Sequence, residues 1–336
     1  SIRRQRQMCI RDRETTRSQR NPTANPTIIN GGGSRVVTAA SNLTFDGFKV
    51  TGGAATCGGG IYVYNESDVV ISGNVIESNS ATDSGGGVYM FGCASGIAAF
   101  NTFKSNNSPE GGGLFVESCP NLTVSDNLFD SNSSHEGGGI KASLSTGSIS
   151  DNEFLGNSST GLGAGFYAIN ESSSLVLEGC LFEGNTNPGT LTHGGAIALA
   201  NGNMIIRRCV IVDNVGGLGA GIYLLVSAPT IENCTIVANS GNQGAGLWSS
   251  SGSSPTIKNS IIALNTPEGI RSITDTGTLV YNDVWDNGTD YVGITPGAGS
   301  ISADPLFIDS ENGCFRLDYG SPCVNAGTSD NVNPDG

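Results

Sequence analysis

Histidine is nearly missing from this chain: His135 and His193 are the only two among 336 residues. Zinc sites draw on histidine or on closely paired cysteines, and neither pattern occurs, so no metal centre is expected. Basic residues are scarce too. Seven of the sixteen (Arg3, Arg4, Arg6, Arg11, Arg13, Arg17 and Arg20) crowd into the first twenty positions. The rest of the chain holds nine basic and 28 acidic residues, a formal charge of −19, which repels phosphate backbones and argues against a nucleic-acid partner. Charged residues make up only 14%, against about 25% in an ordinary globular chain, so few surface helices are expected. No apolar run approaches the roughly 18 residues of a membrane span. There is no EF-hand loop or nonapeptide calcium repeat, and no motif that would organise a Ser/His/Asp triad. No cofactor is expected; the repeated "SDN" turns could attract calcium, but nothing else indicates a site.

What is abundant is glycine, 50 residues, about twice its usual share of roughly 7%. Much of it falls in triplets: "CGGGIYVYN", "SGGGVYMFG", "EGGGLFVES", "EGGGIKASL", "LGAGFYAIN", "HGGAIALAN", "LGAGIYLLV" and "QGAGLWSSS". The last residues of these triplets are Gly60, Gly87, Gly113, Gly139, Gly165, Ala196, Gly221 and Gly246, separated by 27, 26, 26, 26, 31, 25 and 25 residues. A fixed period near 26 marks a solenoid, and the short alternating runs that follow mark strands rather than helices. The leader over 1–20, with its "QMCIRDR", reads as translated sequencing adapter and is expected to be disordered.

Three alternating runs recur in each unit. After the triplet come Ile61, Val88, Leu114, Ile140, Phe166, Ile197, Ile222 and Leu247, with a second column two residues on; period-two alternation turns both inward. A second run aligns Ile71, Ala98, Val124, Ile149, Leu177, Ile206, Ile231, Ile257 and Leu279. Three residues further stand Asn74, Asn101, Asn127, Asn152, Cys180, Cys209, Cys234, Ser260 and Asn282, a column of small polar residues suited to a hydrogen-bonded ladder. A third run aligns Ile76, Phe103, Phe129, Phe154, Phe182, Ile211, Ile236, Ile262 and Val284. It is followed by Asn79, Asn106, Asn132, Asn157, Asn185, Asn214, Asn239, Asn265 and Asn287, where asparagine is expected to take the left-handed conformation that ends a strand. The chain is therefore all-β: a single-stranded parallel β-helix of about nine coils over 21–300, with three short strands per coil, then an irregular closing segment over 301–336. The triplets are expected where stacked turns leave no room for a Cβ and demand positive φ.

The position between the two inward columns of the first strand must face outward. It holds Tyr62, Tyr89, Phe115, Lys141, Tyr167, Ala198, Tyr223 and Trp248, six aromatics in eight rungs of a chain that is 7% aromatic. Such a stripe either reinforces the sheet by stacking or, if open to solvent, offers sugar rings a platform. His135, Glu136 and Lys141 share one rung and could supply a base, an acid and a cation, although such turn residues are more often plain surface. Cys180, Cys209 and Cys234 read as small buried residues. Cys93 and Cys119 lie one rung apart in a common column, within disulfide reach, and Cys314 with Cys323 would form a second bridge in an oxidising compartment.

"GGAI" (194–197), "FEGN" (182–185), "FKSN", "FDSN" and "FLGN" resemble the repeats of the polymorphic outer-membrane proteins of chlamydiae. "FDGFKVTGG" (45–53) and "ADPLFIDSENGCFRLDYGSPCVNAG" (303–327) resemble the entry coil and closing segment of surface β-helix proteins. The resemblance implies a right-handed winding, an extracellular or bacterial cell-surface location and, since the usual ends are missing, a fragment. Polygalacturonase-type hydrolases resemble the fold, but their "NTD", "DD" and "GHG" motifs are absent. The acidic cluster of a calcium-dependent pectate lyase is likewise not evident near Arg207 and Arg208. Three functions are open: a non-catalytic, adhesin-like binder of polysaccharide, cell-surface glycan or a host or neighbour surface through Tyr62, Tyr89, Phe115, Lys141, Tyr167, Tyr223 and Trp248; a polysaccharide lyase or glycoside hydrolase; and a structural passenger or spacer.

Overall fold

The computed structural model describes residues 27–189, 192–273, 276–310 and 313–328; the leader over 1–20 and the last eight residues lie outside them. Three parallel sheets run the length of the stack. The first, built from the strands after the glycine triplets, has 11 members from Val37–Thr38 to Thr289–Val292. The second has ten, from Thr44–Asp46 to Thr278–Val280, and the third 11, from Thr27–Asn30 to Asp283–Trp285. The stack thus continues past the triplets at both ends: Val37 pairs with Ile61, and Leu247 with Ile270, where no full glycine triplet signals a rung.

Register follows the aligned columns residue for residue, with Leu114 opposite Ile140, Ile140 opposite Phe166 and Phe166 opposite Ile197. Inside, Phe103, Phe129, Phe154 and Phe182 stack with centroids 4.6, 4.9 and 4.4 Å apart. That matches the spacing of about 4.8 Å between paired strands, so identical residues in register can share their faces.

Two polar ladders support the corners. In the third-run column each asparagine Oδ1 accepts both the backbone N–H and the side-chain N–H of the asparagine one rung back, as Asn132 does from Asn106 at 3.0 and 3.0 Å. Its own Nδ2 donates to a buried carbonyl, Phe103 O, at 2.9 Å. These asparagines do not adopt positive φ, contrary to expectation. The residue before each does, among them Ser78, Ser105, Ser131, Asp213, Ala238 and Leu264, because the asparagine must stay extended to reach its neighbour. The glycine triplet divides its work similarly. Gly85 has φ +64°, whereas a Cβ on Gly87 would lie 2.5 Å from Gly113 O.

The expected disulfides do not form. All eight cysteines among the described residues are free thiols. Cys93 and Cys119 instead belong to a third ladder, at the corner between the first and second sheets. The Cys93 N–H donates to Cys119 Sγ (3.3 Å) and the Cys119 N–H to Ser145 Oγ (3.2 Å). The Ser145 N–H then donates to both oxygens of Glu171 at 3.2 and 2.9 Å. The Cys119 sulfur takes the acceptor place that the Ser145 hydroxyl holds on the next rung. Cys323 donates its thiol proton to Asp283 Oδ2 at 3.0 Å rather than meeting Cys314, and burial followed by that bond pushes it up to about 12.

After the last rung the chain folds back along the stack. Phe307–Asp309 and Cys314–Leu317 form the one antiparallel pair among the described strands. Phe307 and Phe315 pack with Val212, Val237 and Ala263, and the Thr328 N–H donates to Asn259 Oδ1 at 3.0 Å.

Candidate functional site

Alternation does turn the aromatic column outward, but it is not open. Tyr89, Phe115, Lys141, Tyr167, Tyr223 and Trp248 are between 3% and 8% exposed, and Tyr62 alone is half-buried. Two causes combine. Rings standing on neighbouring strands use up each other's faces: Tyr62 and Tyr89 have centroids 5.8 Å apart, and Tyr89 and Phe115 5.4 Å. Side chains flanking the column then cover what is left. Leu162 and Leu218, just before their glycine corners, and Ile169 and Leu225, at their strand ends, pack against Tyr167, Ala198, Tyr223 and Trp248. Arginines close the ends, Arg35 lying 4.0 Å from the Tyr62 ring centroid and Arg271 5.4 Å from that of Trp248. The open platform expected of these seven residues is therefore absent.

Leu162 and Leu218 sit on a fourth sheet that alternation did not reveal. Its strands are Ser133–Glu136, Ser158–Leu162, Thr186–Asn187, Val215–Leu218 and Ser240–Gln243. Serine, threonine and glycine dominate these stretches, leaving no hydrophobic alternation to read. Together with the first sheet the fourth forms a trough, and the column's two non-aromatic members behave oppositely within it.

Lys141 fills its rung. Its Nζ lies 2.6 Å from Glu136 Oε2 and 3.0 Å from Glu110 Oε1, and 5.2 and 5.5 Å from the ring centroids of Phe115 and Tyr167. A cation between two π faces and two carboxylates replaces the missing ring. Of the trio His135, Glu136 and Lys141, the structure joins only the last two; His135 turns to Thr160, its Nδ1 3.0 Å from Oγ1. The strand Ser133–Glu136 is irregular between Ser134 and Glu136, where the His135 and Glu136 N–H groups both donate to Pro109 O, and the two side chains take different partners.

Ala198, fully buried in the cluster with Tyr167, Tyr223 and Trp248, supplies no ring of its own to its rung. A pocket of about 310 Å³, lined by His135, Glu136, Leu162, His193, Tyr223 and their neighbours but not by Ala198 itself, opens at this corner of the stack. That is the low end of the roughly 300–1,000 Å³ typical of small-molecule sites. His193, placed before Gly194 at the same corner, lines the pocket, with its ring centroid 4.4 Å from that of Tyr223. Burial holds the His193 pKa below its usual value, so the ring is neutral at pH 7. Both histidines of the chain thus meet at one pocket, brought together by parallel stacking although 58 residues apart. Reading the column for its most enriched residue type hid this site. The signals were the single alanine among the rings and the 31-residue step that ends at Ala196.

Among the described residues no group of three or more His, Cys, Asp or Glu could hold a metal ion, and no helix is long and apolar enough to cross a membrane. No curated protein and no solved structure matches the chain. A family model described as the right-handed beta helix region matches residues 28–203, 144–244 and 195–324. These overlapping matches follow the three-sheet stack almost from end to end, and the chain belongs to the right-handed β-helix family.

Proposed function

We propose that the protein is a secreted or bacterial cell-surface β-helix that binds polysaccharide without catalysis, through the pocket lined by His135, Glu136, His193 and Tyr223. The observation that carries this reading is the pocket itself. Where rings stack on every rung no face is left for a sugar, whereas on the coil of Ala198 the ring next to Tyr223 is that of His193, and both border an open pocket. A pyranose ring presents an apolar face to an aromatic side chain while its hydroxyls seek polar partners, and Thr160 and Thr192 line the same space. Extracellular placement rests on the resemblance of the "GGAI" and "FxxN" repeats to those of the polymorphic outer-membrane proteins. Binding is favoured over hydrolysis or elimination because Glu136 is tied to Lys141 and His135 to Thr160, so the three do not converge on one reacting atom.

A glycan array carrying neutral, acidic and aminated oligosaccharides tests this. Wild-type protein is expected to bind and Ala198→Phe to lose the signal. A blank array for the wild type would favour a spacer. New ultraviolet absorbance from an unsaturated sugar would establish a lyase instead.

A further inference from the structure

We propose that the first rungs of the stack carry a second glycan site, a tile of four rings whose open face is that of Tyr64 and which takes neutral, flat-faced sugars of the β-glucose type. It extends the reading of the protein as a glycan binder to a separate place in the fold.

The tile belongs to a second outward column. Two residues beyond the aromatic column, along the strands of the first sheet, stand Tyr64, Phe91, Glu117 and Ser143, so rings occur on the first two of these rungs and then give way. Period two turns Tyr64 and Phe91 outward beside Tyr62 and Tyr89. Across the rungs the centroids of Tyr62 and Tyr89 lie 5.8 Å apart and those of Tyr64 and Phe91 5.0 Å. Along the strands Tyr62 and Tyr64 are separated by 5.8 Å, and Tyr89 and Phe91 by 6.4 Å. No plane in these pairs departs from its partner by more than 19°, so the rings form two tiers of two.

The stacking of rings ends at the tier of Tyr62 and Tyr64. The coil before it places Thr38 opposite Tyr62 and, in continued register, Ala40 opposite Tyr64. The two rings then fare differently. Arg35, held by Cys57 O through Nε and Nη2 at 3.3 and 2.8 Å, covers Tyr62. Ala40 offers Tyr64 only a methyl group, and Tyr64 is 47% exposed where Tyr89 in the next tier is 8%. The tier below Tyr62 and Tyr64 is thus half filled, by a guanidinium, and half open.

The borders of the open half are polar and of both signs. Arg35 has N–H groups beyond the two on Cys57 O and stands on the Tyr62 side. On the other side Glu66 accepts the hydroxyl of Ser41, the residue after Ala40, at 2.5 Å. A sugar whose ring hydrogens are axial lays an apolar face on Tyr64, while its equatorial hydroxyls accept from the guanidinium and donate to the carboxylate. A uronate would set its charge against Glu66 and against the −19 charge of the chain beyond residue 20. Tyr223 lies six rungs further on, roughly 29 Å along the stack, so a trisaccharide cannot touch both rings.

Calorimetric titration with the β-1,4-linked trimers of glucose and of glucuronic acid provides the test, in the wild type and in Ala198→Phe, whose pocket is altered. The glucose trimer is expected to bind both proteins, and the glucuronate trimer at least tenfold more weakly. Adding Ala40→Phe, which fills the open half-tier from an exposed position, to Ala198→Phe should abolish binding. Adding Tyr64→Ala instead should weaken it by at least tenfold. Thermal unfolding checks that each variant folds. Binding present in the wild type but absent from Ala198→Phe would overturn the tile and leave the pocket standing. Binding untouched by Ala40→Phe and Tyr64→Ala would overturn it as well. Equal or tighter binding of the glucuronate trimer would overturn the assignment to neutral sugars. No heat of binding from either trimer in the wild type would overturn the tile, while the array still decides the pocket.

Discussion

The rungs of Lys141 and Ala198 are two breaks in one aromatic column, and they show that a repeat can be interrupted in opposite ways. At Lys141 the missing ring is replaced by a cation that two rings and two carboxylates hold in place. At Ala198 the column supplies no substitute, and the ring of His193, from outside the column, lies 4.4 Å from Tyr223 at the edge of a pocket. The lesson is that in a stacked solenoid the consensus residue is the structural one. A face occupied by its neighbours on both sides is closed to ligands, so function is to be sought where the column fails and a side chain from outside it takes the place.

Three predictions probe this contrast, beginning with the largest effect. The rung between the two breaks carries Glu171, 4% exposed and joined to the Ser145 N–H. Burial outweighs that bond and pushes its pKa up from 4.5 to about 8. The folded state therefore binds a proton more tightly than the unfolded chain, and the associated stability is present below pH 4.5 and lost as pH rises toward 8. The loss amounts to roughly 3–5 kcal/mol. Glu171→Gln should flatten this slope in urea unfolding between pH 5 and 9. A wild-type profile already flat over that range would show that Glu171 is not desolvated as described.

Lys141→Ala comes next. It removes a side chain that is 7% exposed and leaves Glu110 and Glu136 facing each other unpaired, at 38% and 24% exposure. Their partial solvation keeps the cost below the 3–5 kcal/mol of breaking a fully buried pair, at about 2–3 kcal/mol. Urea midpoints measured at an unchanged slope would check it. A change under about 0.5 kcal/mol would mean that Lys141 does not stand in for the missing ring and would dissolve the comparison.

Much of the fold was legible because stacking makes one period govern everything. The inward columns named from alternation pair in the structure without a slip, from Val88 opposite Leu114 to Leu224 opposite Ser249. Legibility ended where side-chain direction and side-chain accessibility part. Period two places Tyr167 and Tyr223 on the outer face, but whether they meet solvent depends on Leu162, Leu218 and the short fourth sheet, which carry no alternation. The asparagine columns were located correctly and their conformation misassigned. Hydrogen-bond reach, not the residue's own tolerance for positive φ, decides which of two adjacent residues turns the corner, so Ser131 has φ 56° and Asn132 extends to its neighbour. Of the site, Glu136 and Tyr223 were among the named candidates, while Ala198 drew notice only as an exception. His193 was seen only as one of two histidines, because its contact with Tyr223 spans a rung boundary.

The smallest change in stability bears the most weight. The account holds that the half-buried His193 stands in for the ring the column lacks at Ala198, so Ala198→Phe should restore a ring between Tyr167 and Tyr223 and push His193 out into the pocket. Thermal unfolding of that variant should show stability unchanged or raised by up to about 1 kcal/mol, while the same sample no longer binds the sugar that the wild type holds. A clear loss of stability, or binding that survives the added ring, would contradict it.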